Sequence, residues 1–174
     1  MSSTSNTIDS EEILDRAVMR ANRAMFTIQM QIRRIGSAEP EDATFLWRQI
    51  ADFEFLVIAA TRLRRAAELA KNAPETKTQI TAAIMQFDKS LPGLKKLRDI
   101  AEHIDDYSVD QGKNKNIDRR YLENCMVTGG GKTWTWLGES INTDDLLDAG
   151  GALFKELKRA QTQIQELPNR CSSE

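Results

Sequence analysis

His103 is the only histidine in these 174 residues. A di-iron bundle needs Glu-x-x-His on two helices, and a catalytic zinc site needs several imidazoles, so neither metal enzyme is expected. A Ser-His-Asp hydrolase would have to use His103 as its base, and no Gly-x-Ser-x-Gly elbow accompanies it. Cysteine is almost as scarce. Cys125 and Cys171 lie far apart with no paired spacing, which suggests free thiols and a cytoplasmic protein. No apolar run approaches the roughly 20 residues that cross a bilayer, so no membrane role is expected. The opening Met1-Ser2-Ser3-Thr4-Ser5-Asn6 is polar and uncharged, unlike a secretory signal. A complete P-loop is missing too. Gly131-Lys132-Thr133 resembles its end, but Met126 stands where the first glycine belongs, and a strand-like run follows where a helix should open. No cofactor is expected.

What remains is an ordinary globular composition. Hydrophobic residues make up 40% and charged residues 29%, enough for one domain with a buried core. The net charge of −2 argues against a general nucleic-acid coat while leaving room for a local basic groove. Residues 1–8 read as a disordered lead-in. A first helix is expected over Asp9–Ile35, because Leu14, Ala17, Ala21, Met25, Ile28, Ile32 and Ile35 recur at three- and four-residue steps. Asp9 or Ser10 would cap it and Gly36 would end it. A second helix, from near Glu41 to Lys71, is apolar almost all round between Phe53 and Ala60, as a central helix would be. Its end carries Arg62, Arg64 and Arg65, either a solvated face or one wall of an anion-binding groove. A third helix follows over Glu75–Lys89, with Ile80, Ile84 and Phe87 inward.

Leu91-Pro92-Gly93 then turns the chain into an amphipathic helix running to Tyr107. Leu94, Leu97, Ala101 and Ile104 form its inward stripe. Residues 108–120 read as a polar loop. Residues 121–137 read as a hairpin about Gly129-Gly130-Gly131, with Trp134 and Trp136 on one face. The tryptophans either pack on the helices or form an aromatic binding platform. Asn142 or Thr143 caps a last helix, in which Gly150-Gly151 marks a close crossing. Residues 168–174 form a polar tail. The fold expected for residues 1–174 is one all-α, up-and-down bundle of about five helices, with a small β-hairpin inserted before the C-terminal helix.

Function centres on the fourth of these helices. On one straight helix Arg98 and His103 would point about 140° apart. Asp99 and Tyr107 sit four residues either side of His103, and Glu102 four after Arg98. These local pairs would make a solvated, stitched helix edge. Arg98-x-x-x-x-His103, late in a helical chain, also resembles the Arg-x(4–6)-His motif of the HEPN superfamily, with Asp99 matching the polar residue that often follows the arginine. The resemblance covers the helical segment to about Tyr107. It implies a metal-independent endoribonuclease or RNA-binding protein, of the toxin–antitoxin or phage-defence kind. It also implies a homodimer through the Arg98–His103 helix, whose facing copies would bring both residues to one phosphate. Arg98 would hold the scissile phosphate, and His103 would be the general acid–base, leaving a 2′,3′-cyclic phosphate. Arg62, Arg65 and Tyr107 are assigned to substrate binding. The tyrosine that some members modify has Asp105 in its place, so that modification is not carried over. Asp105 and Asp106 also bring negative charge beside the phosphate site. The rival reading is a non-catalytic interaction module that binds a partner protein through a bundle face or the tryptophan hairpin. A third is a small-molecule pocket under Trp134.

Overall fold

The computed structural model describes residues 9–43 and 46–167. The expected lead-in, the polar tail and Cys171 lie outside these. Six α-helices run among the described residues: α1 (Ser10–Gly36), α2 (Trp47–Ala70), α3 (Lys77–Ser90), α4 (Leu94–Glu102), α5 (Ile104–Ser108) and α6 (Thr143–Gln165). A three-stranded antiparallel sheet, β1 (Cys125–Thr128), β2 (Thr133–Trp136) and β3 (Glu139–Asn142), is inserted before α6. The mostly helical bundle with a small β insertion is therefore the fold. No helix among the described residues is long and apolar enough to cross a membrane.

The repeat of apolar residues in α1 buries Leu14, Ala17, Ala21, Met25, Ile28 and Ile35, while Ile32 is half-buried. Its Asp9 cap makes no side-chain hydrogen bond. Helix α2 is the hub. It touches α1, α3, α4 and α6, and it buries Phe53, Leu56, Val57, Ala60, Leu63 and Ala67. It starts later than the sequence suggested. Pro40–Ala43 forms a separate 3-10 turn, and α2 opens at Trp47. A second 3-10 turn, Pro74–Thr76, likewise precedes α3. Helix α6 closes the bundle against α1 and α3. A Cβ on Gly150 would lie 3.2 Å from the Met25 sulfur and 3.3 Å from a Leu63 methyl, so this glycine does sit at a close crossing. A Cβ on Gly151 would meet open space.

The hairpin turn uses Gly129, Gly130 and Gly131 at φ of +62°, +66° and +89°, conformations that L side chains rarely adopt. β2 is the middle strand, with Trp134 opposite Val127 on one side and Ile141 on the other. β3 was not foreseen, since Glu139-Ser140-Ile141-Asn142 offers one apolar residue; that residue, Ile141, is fully buried. The aromatic platform is overturned. Trp134 and Trp136 both point into the core, and Trp134 stacks on Phe53 at 5.2 Å between ring centres. Their indole N–H groups donate to the Gly131 and Leu122 carbonyls at 3.0 and 2.7 Å. The space under Trp134 is filled by that stack. Asn142 caps α6 as expected, accepting from the backbone N–H groups of Asp144 and Asp145 at 2.8 and 3.2 Å.

Candidate anion-binding site

The segment around His103 is two helices. Helix α4 ends at Glu102, His103 turns out of helical geometry at φ −132°, and α5 restarts at Ile104. The 140° separation assumed one straight helix and does not apply. The inward stripe differs as well. Leu94, Leu97 and Ile100 are buried, while Ala101 and Ile104 are only half-buried. A break after Glu102 frees α5 to take its own direction and lets Tyr107 enter the core.

Asp99 serves Tyr107. The buried tyrosine hydroxyl donates to Asp99 Oδ2 at 2.9 Å and accepts from the Asn114 backbone N–H at 3.2 Å. Its ring lies against Gly112, where an added Cβ would come within 2.2 Å of a ring carbon. Tyr107 thus ties the start of the 108–120 segment to α4. The local pairing of Asp99 with His103 that their spacing suggested gives way to this contact, and the nearest carboxylate to His103 Nδ1 is Asp106 at 3.7 Å. The imidazole is 44% exposed.

Arg98 is held as its spacing to Glu102 implies, with Nη2 2.7 Å from Glu102 Oε2. The same oxygen lies 3.9 Å from Arg65 Nη2. Arg98 Nε is covered and has no hydrogen-bond partner among the described residues. Two of the residues singled out in the sequence are therefore brought together, since Arg65 and Arg98 line one cleft of about 370 Å3 between α2 and α4. Arg64 and Lys95 join them there. Arg64 is committed to Asp88, a carboxylate that lines the same cleft, because Nε and Nη2 bind both of its oxygens at 2.6 and 2.7 Å. That pair keeps the guanidinium charged well into the alkaline range. Lys95 is exposed and has no carboxylate partner among the described residues. The cleft can thus offer an incoming anion Lys95, Arg65 and part of Arg98.

Arg62 faces the other side of α2. With Arg65 it lines a second groove, opposite Arg20 and Arg23 of α1. The sequence reading missed these two α1 arginines. They carry no motif, and α1 was read for its apolar positions; only the pairing of α1 with α2 brings them opposite Arg62. Among the described residues, no group of three or more histidine, cysteine or carboxylate side chains is placed to hold a metal ion. No protein-family model, curated protein or solved structure matches the chain, so the geometry of these two clefts carries its functional reading.

Proposed function

We propose that the chain is a cytoplasmic, HEPN-like RNA-binding protein that receives phosphates in the cleft between α2 and α4. The observation that supports this reading is the meeting of Arg65 and Arg98, from distant parts of the sequence, beside Lys95, which pairs with no carboxylate among the described residues. Guanidinium groups suit phosphate because their planar N–H forks match its oxygens. Glu102 orients both arginines and offsets part of their charge, so the cleft favours a chain of phosphates held by several moderate contacts. His103 follows directly on α4. Its exposed imidazole can exchange a proton with a ribose hydroxyl or a leaving oxygen. In the same reading, α4 helices of two subunits face each other, and the second copy completes the cleft at the first copy's His103.

The test is binding of labelled oligouridine by the full chain across a salt series, with cleavage followed in EDTA. Wild type should bind RNA. The double variant Lys95→Gln/Arg98→Gln should weaken binding by about tenfold and flatten its salt dependence. His103→Ala should abolish cleavage while leaving binding intact. Absence of RNA binding by wild type at about 0.1 M salt, where phosphate contacts dominate affinity, would overturn the reading. Binding without cleavage would retain it and remove His103 from any catalytic role.

A further inference from the structure

Most arginines described here face carboxylates. Arg16 pairs with Glu12, Arg34 and Arg48 with Asp52, Arg64 with Asp88, Arg98 with Glu102, and Arg120 with Asp118. The groove between α1 and α2 departs from that pattern. Arg20 and Arg23 stand one helical turn apart on α1, and Arg62 and Arg65 one turn apart on the antiparallel α2. Arg20, Arg23 and Arg62 meet no carboxylate within 4 Å among the described residues. The nearest to Arg65 is Glu102, at 3.9 Å. The floor is made by Ala24 and Ala66, both buried and too small to fill the space beneath the guanidinium groups. Thr27 stands at the edge, its hydroxyl proton given to the Arg23 carbonyl at 2.9 Å, which leaves its oxygen lone pairs to face donors.

Four guanidinium groups around one groove repel one another. A ligand with several negative charges reverses that repulsion. The groove encloses about 430 Å3, within the range of small-ligand sites. Its two walls each present two planar N–H forks, the arrangement that grips phosphate oxygens in pairs. A single carboxylate would satisfy one fork and leave three. We propose that the α1–α2 groove is a separate anion site for two or more phosphate groups joined in one chain, held by Arg20, Arg23, Arg62 and Arg65. Such phosphates come either from a free oligophosphate or from an RNA backbone continuing past Arg65 out of the neighbouring cleft. The site stands on its own charges and needs no RNA binding between α2 and α4.

Titration calorimetry of the full chain with tripolyphosphate tests it. Wild type should bind, and Arg20→Gln/Arg23→Gln should lose at least about tenfold in affinity, as expected when two charge-assisted contacts go. Both side chains are exposed, and an unchanged helical circular dichroism spectrum would confirm that the variant folds. Arg33→Gln, an exposed change on α1 that lines neither cleft, should bind tripolyphosphate like wild type. No heat from wild type, or equal binding by the Arg20/Arg23 variant, would overturn the proposal. Displacement of tripolyphosphate by oligouridine supports it with RNA as the source, and failure to displace supports it with a free oligophosphate. Loss of RNA binding elsewhere with this site intact would sink only the RNA reading.

Discussion

Asp52 shows how a single carboxylate can fix the start of the bundle. It is buried on α2, and its two oxygens accept from Arg34 Nε at 2.8 Å and Arg48 Nη1 at 3.2 Å. Arg48 also binds Asp42 and donates to the carbonyls of Arg34 and Ser37 at 2.7 and 2.9 Å. One guanidinium thus satisfies the end of α1 and the turn that follows it. Removing Asp52 leaves Arg48 partly buried with fewer partners. Asp52→Ala should therefore cost about 1.5–3 kcal/mol, the range of a lost charge-assisted hydrogen bond, read as a lower urea midpoint with an unchanged slope. Arg34→Ala should cost less than about 1 kcal/mol, because that side chain is 54% exposed and water replaces most of its role. An equal cost for both would show that Arg34 carries the contact.

Single elements differ in how far their sequence revealed them. Helix α1 was legible because one apolar stripe runs through it without interruption. The Asn142 cap was legible because two acidic residues follow it in the first turn. The break at His103 was hidden, since Ile104 and Tyr107 continue a helical spacing that the backbone does not follow. β3 was hidden by its polar sequence and short length. The α2–α4 cleft was half-legible. Arg65 and Arg98 could be picked as cations, but their meeting depends on how the two helices pack.

β1 carries a consequence of its own. Cys125 is half-buried, and burial, with the Glu54 carboxylate nearby, pushes its thiol up to about 11. Glu54 is itself raised by burial and by Glu123. The thiolate is the reactive species. At pH 8, Cys125 in the folded chain should alkylate on the order of a hundredfold slower than in urea, as peptide-resolved iodoacetamide labelling would show. Because the folded thiol holds its proton longer than the unfolded one, stability falls as pH rises from about 8.5 towards 11. Glu54→Gln should speed the labelling. Equal rates in folded and unfolded chains would mean that β1 leaves the cysteine open.

At the scale of the whole molecule, the sheet is joined to the bundle by the contacts of β3 with α4 and α6 and by aromatic packing. Trp134 is fully buried on Phe53 of α2, and Trp136 closes over Leu122. Lys96 adds a polar strap from α4, donating to the Leu137 carbonyl at 3.1 Å and to Glu139 at 3.0 Å. Trp134→Ala would remove the largest buried side chain and leave a cavity between sheet and helix. It should cost about 3–5 kcal/mol. Amide exchange should rise in β1–β3 more than in α1 and α2, because the sheet loses its anchor while the helix pair keeps its own contacts. A uniform rise across the molecule would mean that sheet and bundle unfold together.

Helix α6 seals the apolar faces of α1 and α3, yet it is the last of the described elements along the chain. On a ribosome, the α1–α2 hairpin emerges before α6, with its lid still unmade. The faces of α1 and α3 that α6 packs against can be fully covered only after translation has passed Thr143. Until then the nascent chain offers a greasy trough of the kind that chaperones clasp. The exposure of these faces therefore lasts from the making of α3 until α6 arrives.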